Sequence, residues 1–454
     1  MSFDLRHPIP TSLANHPHKD ILLKAIQESL NEVAGDQAVR RSLHIEQGRL
    51  WVGDQSYPLS SEGKLYLLAV GKAAVAMAAG AKESLGDQIS AGIIVTKFRP
   101  SEEQSNFPVL LGDHPVPKQQ SLAAARAVES FLKSIRAQDT LLCLISGGAS
   151  ALLTSPRPNL RLREVQKTTQ LLLRCGATIQ ELNTIRKHLD RFKGGGIIQA
   201  VKPAQVISLI ISDVIGDSLE VIGSGLTAPD PTTFQDALAI LDHYELRSSI
   251  PGAVLEYLEE GARGIHPETL KPQSEDFSRV ANHIIASNRH ACEAAQRAFQ
   301  AAGVKTLHLT SFLQGEASQV GRVFAAFARQ LSIQQVNADQ PICWIAGGET
   351  TVTVRGSGIG GRNSELALGA VAEMAGLENA LLITLASDGD DGFSPAAGAV
   401  VSGSTFSRAA QMGLKPNEFL KRNDSFSFFN QLNDCIYTTP THTNVNDLIF
   451  LFVS

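Results

Sequence analysis

Short, mostly apolar runs alternate along the chain with stretches of helical periodicity. Leu65–Val70, Gly92–Thr96, Leu141–Ile145 and Ile207–Ile211 are too short for helices, and each ends in glycine or small polar residues. Such runs fit buried strands. Helical spacing covers 20–47, about Ser121 to Ile135, a region near Thr233 to His243 and another near Val254 to Gly261. Residues 176–197 read as a helix that Thr178 and Glu181 open as a capping box and that Gly194 to Gly196 close. Proline and charge break the periodicity in HPETLKPQSED (266–276), which places a domain boundary at 275/276. A fresh strand–helix–strand follows: His283–Ala286, a helix to about Ala302, and Val304–Leu309. Pro341–Ala346, Thr351–Val354 and Leu381–Ala386 read as further strands. The pattern is that of an α/β protein with domains 1–275 and 276–454.

Chemistry gathers where these strands end, the place where open α/β sheets hold ligands. Ile207–Ile211 runs into Ser212-Asp213, with Asp217 and glycines 216, 223 and 225 behind it. Leu65–Val70 runs into Gly71-Lys72 and an alanine-rich helix, a sound place to hold a phosphate. No G-x-x-x-x-G-K-[ST] surrounds Lys72, so a P-loop is excluded. Leu141–Ile145 ends in Ser146-Gly147-Gly148-Ala149-Ser150, either a phosphate cradle or a plain tight turn. On the helix over 176–197, Asn183, Arg186 or Lys187, and Asp190 share a face, and Lys193 adjoins the glycine triplet. The cluster suits a carboxylate or a phosphate, although helix-dipole compensation also explains cations there.

In the second half, Gly347-Gly348-Glu349 follows a strand, and Gly356, Gly358 and Gly361 spell G-x-G-x-x-G before a helix that opens with Arg362 and Asn363. A dinucleotide fingerprint would need a wholly apolar first strand, whereas Thr351–Val354 alternates. Asp388 also lies about 27 positions past the third glycine, against roughly 20 in the fingerprint. Arg362 and Asn363 suit anionic oxygens instead. Asp388, Asp390 and Asp391 are hard oxygen donors of the kind Mg²⁺ accepts together with phosphates, or simply an acidic turn.

Composition narrows the classes. With 454 residues, 43% hydrophobic and 19% charged, the chain describes an ordinary globular protein large enough for two or three cores. A net charge of −5 and the absence of a basic block give no nucleic-acid partner. The N-terminus lacks an apolar signal region, and runs such as Ala380–Ala386 are too short to span a bilayer, so no membrane partner is expected. Cysteines 143, 175, 292, 343 and 435 are scattered, which fits a cytoplasmic protein without structural disulfides. A strand edge or interdomain surface could support a homodimer, and no stretch specifies one.

From about residue 15 to the end the chain resembles the class II glycerate kinases, the glycerate 2-kinase family, some of whose members were labelled hydroxypyruvate reductases. The resemblance rests on VGKAAVAM (70–77), SGGAS (146–150), ELNTIRKHLDRFKGGG (181–196), SDVIGDSLEVIGSG with APDPTTF (212–234), GGETTVTVRG (347–356), GGRNSE (360–365), DGDDG (388–392) and TNVNDL (443–448), in that order. It implies two α/β domains, the larger N-terminal one Rossmann-like, with the active site in a cleft between them. It also implies transfer of the γ-phosphoryl of ATP to the 2-hydroxyl of D-glycerate with Mg²⁺. Lys72, Asp213 and Arg362 match positions regarded as essential in the family. The nucleotide is then expected at Ser146, Gly147, Gly148, Ser150, Gly347, Gly348, Glu349 and Asn363, and the glycerate at Asn183, Arg186 and Lys193. Asp213 and Asp388 are the expected metal ligands. The chain departs from the family pattern at Leu226, at Asp390 within DGDDG and at His442 ahead of TNVNDL. Two other readings stand beside this one: an NAD(P)H-dependent hydroxypyruvate reductase, on the literal G-x-G-x-x-G, and a binding protein for glycerate or nucleotide without turnover.

Overall fold

The computed structural model describes residues 9–99, 107–201, 203–335, 340–439, 441 and 443–454. The chain divides into two compact units, one of Gly35–Ile285 and one of Met1–Ala34 with Ala286–Ser454.

In the unit Gly35–Ile285, a small antiparallel sheet forms from β1 (Leu43–Glu46), β2 (Arg49–Val52) and β3 (Gln55–Pro58). The main sheet contains β4 (Leu65–Val70), β5 (Ile89–Thr96), β6 (Val109–Leu111), β7 (Thr140–Ile145), β8 (Gln205–Ile211) and β9 (Val280–Ala286). Its order is β6-β5-β4-β7-β8-β9, and the pairs from β6 to β8 are parallel. The chain therefore runs outward from β4 to one edge, then returns beside β4 and runs to the other. The order reverses between β4 and β7, the kind of point at which open α/β sheets hold ligands. Val70, Val95, Cys143, Ile145, Val206 and Ile210 belong to one buried core built on this sheet. A second core joins the helices Leu162–Arg174, Ile179–Leu189, Phe234–His243 and Gly252–Ala262.

The other unit is built on a mixed sheet of β10 (Lys305–Leu313), β11 (Ile342–Gly348), β12 (Ala380–Ala386), β13 (Gly398–Ser402), β14 (Cys435–Ile436) and β15 (Asp447–Val453), in the order β10-β11-β15-β12-β13-β14. The last strand of the chain enters the middle, antiparallel to β11 and β12. All seven residues of β12 and of β15 are buried, as their apolar sequences require of central strands.

Several expectations need correction. The cut at 275/276 does not describe the two units, because the N-terminal helix Lys19–Val33 joins the C-terminal body. Its Ser29 hydroxyl donates to the Ala291 carbonyl at 2.9 Å, and Glu32 faces Arg297 at 3.5 Å. The helical stretch 20–47 ends at Ser42, and β1 follows. The helix opened by Thr178 ends at Leu189, where Asp190 turns extended; the glycine triplet opens the next helix, Gly196–Ala200. Thr351–Val354 is no strand: a single bridge links Thr351 to Glu316. All five cysteines are free, and burial raises the Cys143, Cys292 and Cys435 thiols to about 12. No helix among the described residues is long and apolar enough to cross a membrane.

Candidate active site

Around the reversal point of the parallel sheet, the turns after β4, β7 and β8 come together. The Lys72 amide donates to the Gly147 carbonyl at 2.9 Å, and the Ala73 amide to Ser146 Oγ at 3.0 Å. These bonds fix the Gly71-Lys72 turn to the Ser146–Ser150 loop. Gly147 has no Cβ because one there would overlap Asp213 Oδ2, so the Asp213 carboxylate lies directly against the loop. Gly148 adopts φ +84°, and a Cβ on it would stand 3.1 Å from the His114 ring and 3.4 Å from Lys72 Cγ. Burial lowers the His114 pKa to about 4, and the Lys72 and Lys97 charges push the same way. A neutral imidazole thus sits beside Lys72. The structure accordingly brings together Lys72, Ser146, Gly147, Gly148 and Asp213 and adds His114, which the sequence reading left without a role.

A hydrogen-bonded chain extends this loop toward the helix Ile179–Leu189. Ser150 Oγ lies 2.8 Å from Ser224 Oγ, which donates to Asn183 Oδ1 at 2.9 Å. Ser224 is held at φ 61°, a conformation that non-glycine residues visit rarely. Beyond Asn183, Lys193 is buried, with its ammonium 2.8 Å from Asp190 and 3.5 Å from Thr154 Oγ1. Burial lowers the Lys193 pKa, Asp190 opposes this, and Arg186 adds to it. Asn183 and Lys193 are therefore already engaged in the fold.

In the other unit the expected residues converge on one that the sequence reading passed over. Asp447 opens β15, opposite Gly348 of β11 and Ala386 of β12 in the ladder register. The turns that follow β11 and β12 thus start where Asp447 enters. Arg362 donates to both Asp447 oxygens, through Nη2 at 2.9 Å and through Nε, and lies 3.4 Å from Glu349. Asn363 Nδ2 donates to Asp447 Oδ1 at 2.9 Å. Asp391 accepts the amides of Asn363 and Ser364, each at 2.9 Å, which makes it the anchor at the start of the helix Arg362–Ala370. Burial raises the Asp447 carboxyl to about 7, offset in part by Arg362 and Asn363. Burial pulls the Arg362 pKa down, but Asp447, Glu349 and Asp391 outweigh it and leave the guanidinium above its ordinary value.

Asp388 begins the following turn, where its Oδ1 accepts the Asp390 amide at 3.1 Å. Asp391 is committed to the helix start, so the DGDDG motif is not a three-carboxylate cage. Among the described residues no group of three or more His, Cys, Asp or Glu could hold a metal. His442 lies outside the described residues. The G-x-G-x-x-G loop lacks the strand it would need, since its backbone amides go to side chains instead: Thr353 to Glu316, and Arg355 and Gly356 to Asn423 Oδ1. The structural context of a dinucleotide fingerprint is absent there.

Residues 21–259 match the family described as a domain of unknown function (DUF4147), and residues 342–447 match the MOFRL family. The chain is 36% identical over 437 residues to a glycerate 2-kinase of Pyrococcus horikoshii, covering 96% of this chain and 97% of that one. It is 37% identical over 432 residues to a D-glycerate 2-kinase of Thermotoga maritima, covering 95% and 97%. A crystal structure of a Thermotoga maritima glycerate kinase matches with a TM-score of 0.84 at 35% identity, over 96% of this chain and 99% of that one.

Proposed function

We propose that this chain, which belongs to the glycerate kinase family, transfers the γ-phosphoryl group of ATP to the 2-hydroxyl of D-glycerate, giving 2-phosphoglycerate and ADP. The observation that carries the reading is the meeting of Lys72, the Ser146–Gly148 loop and Asp213 where the parallel sheet reverses its order. We read that sheet as Rossmann-like, because in order of appearance its six strands follow the 3-2-1-4-5-6 sequence of doubly wound nucleotide-binding folds.

In the step itself the glycerate 2-oxygen forms a bond to the γ-phosphorus while the bond to the β,γ-bridging oxygen breaks and ADP leaves. The hydroxyl proton passes to the Asp213 carboxylate. Phosphoryl transfer asks the protein for position and countercharge rather than for covalent chemistry. Lys72 supplies positive charge beside the loop, and the glycines let the backbone approach the phosphates closely. Arg362 is held in place by Asp447; its contact to the half-exposed Glu349 is the one a phosphate oxygen would replace. Gly347, Gly348 and Asn363 line the same strand ends.

Mg²⁺ fits these residues in the manner usual for kinases, with one or two carboxylates and the remaining ligands from phosphate and water. Asp388 would hold it, or Asp213 where that carboxylate serves as a metal ligand instead of as the base, and it would neutralise charge on the phosphates.

Incubation of the purified protein with D-glycerate, ATP and Mg²⁺, followed by ³¹P NMR, is expected to yield 2-phosphoglycerate. NADH oxidation by hydroxypyruvate without any phosphoglycerate would overturn the reading, as would binding of glycerate and nucleotide without turnover.

A further inference from the structure

The helix Ile179–Leu189 and the turn after it carry Arg186, Lys187, His188, Arg191 and Lys193. All but the first have a carboxylate partner. Lys187 lies 3.1 Å from Asp230, His188 3.0 Å from Glu268, Arg191 2.8 Å from Glu129 and Lys193 2.8 Å from Asp190. Among the described residues none pairs with Arg186, whose side chain is only partly exposed. Folding alone gives no reason to keep an uncompensated, partly desolvated guanidinium. A ligand anion does.

The position of Arg186 says which anion. It lies one helical turn beyond Asn183, on the same face. Asn183 is joined through Ser224 to Ser150, and so to the loop against which Lys72 and Asp213 stand. The Arg186 charge also depresses the Lys193 ammonium after burial has done so, and only Asp190 opposes them. Two cations against one carboxylate leave a single net positive charge, the complement of one carboxylate rather than of a polyphosphate. Lys193 is paired with Asp190 and the Asn183 Oδ1 accepts from Ser224, so Arg186 is the cation beside them without an ion-pair partner among the described residues. The planar fork of an arginine is also the side chain suited to two-point contact with a carboxylate.

We propose that Arg186 anchors the carboxylate of the acceptor substrate, and that it is the residue that selects a 2-hydroxy acid over an uncharged polyol. The inference rests on the phosphoryl-transfer reading above and deepens it.

Steady-state kinetics with D-glycerate, with glycerol and with ATP, on the wild type, Arg186→Met and Arg186→Lys, test it. In the Met variant the KM for D-glycerate should rise about ten- to a hundred-fold, the range set by charged hydrogen bonds. The KM for ATP should stay within about twofold, and the preference for glycerate over glycerol should fall by the same factor as glycerate binding. The Lys variant, which keeps the charge and loses the fork, should fall between. Thermal denaturation supplies a readout that a structural role would move the other way. Without ligand, Arg186→Met should melt at or above the wild type, and its melting point should no longer rise with added D-glycerate. An unchanged KM for D-glycerate with unchanged preference over glycerol would overturn the proposal. So would a Met variant that unfolds, since that would make the guanidinium a structural contact. A wild type that phosphorylates no glycerate would instead sink the kinase reading itself.

Discussion

Lys72 and Asp447 differ in how far a single position reveals its task. Lys72 stands out in the sequence because an apolar strand runs straight into it and a helix follows. Asp447 precedes an equally apolar run, LIFLFV, but it is the first residue of its strand rather than the last. Only the antiparallel placement of β15 between β11 and β12 brings it to the ends from which their turns leave. The rule that ligands sit beyond the carboxyl ends of strands holds for parallel sheets, so applied residue by residue it passes over the start of an antiparallel strand. If Lys72 supplies charge to the transferred phosphoryl group, Lys72→Met should lower kcat by about 10²–10³-fold, in the range of lost transition-state donors. The melting temperature should barely change. A coupled ADP-release assay beside thermal denaturation checks both, and a Met variant with wild-type kcat would remove Lys72 from the mechanism.

At the level of elements, signals carried by adjacent residues hold and those that need a distant neighbour do not. The capping box of Thr178 and Glu181 forms as expected because both partners lie within one turn: the Glu181 amide donates to Thr178 Oγ1 at 3.3 Å and Glu181 Oε2 accepts the Thr178 amide at 2.7 Å. Thr351–Val354 has the alternation of a strand, yet a strand needs a ladder partner. The edge of β11 that it would need is already taken, by β10 on one side and β15 on the other. Its Thr353 amide turns to the Glu316 carboxylate and its Thr351 amide to the Gly315 carbonyl instead. The Ser146–Ser150 loop, which the sequence leaves open between phosphate cradle and plain turn, gains a reason for its glycine in the contact with Asp213. Gly147→Ala should therefore displace the carboxylate and cut kcat by at least about tenfold, while circular dichroism remains that of the wild type. Unaltered activity in that variant would show that Asp213 can move aside without consequence.

The molecule as a whole adds what neither residues nor elements contain. Glu365 is buried on the helix Arg362–Ala370, where its Oε1 accepts from Asn423 Nδ2 at 3.1 Å. Burial raises its carboxyl from 4.5 to about 7; the Asn423 bond opposes the rise, and the charges of Glu316 and Asp391 add to it. A carboxyl raised in this way holds its proton more tightly folded than unfolded. Its contribution to stability is complete below about 4.5 and is lost as pH rises through about 7. Glu365→Gln keeps the acceptor for Asn423 and removes the titration, so its melting temperature should gain on the wild type as pH rises from 4.5 to 8. A gap between the two that stays constant across that range would show that Glu365 does not titrate there.

By itself the sequence determined the α/β alternation, the strand ends that carry Lys72 and Asp213, the start of the helix at Arg362 and the family, because each is written in neighbouring residues or in ordered motifs. It placed one domain boundary where periodicity breaks. The structure placed the division elsewhere, because the helix Lys19–Val33 leaves the N-terminal stretch to pack with the C-terminal unit. Tertiary structure alone decided which basic residues of the helix Ile179–Leu189 find a carboxylate and which one, Arg186, finds none among the described residues. It also decided that Asp447 gathers Arg362 and Asn363. The reason is common to both: charge compensation and strand neighbours join residues far apart in the chain, and no local pattern of hydrophobic and polar positions records them.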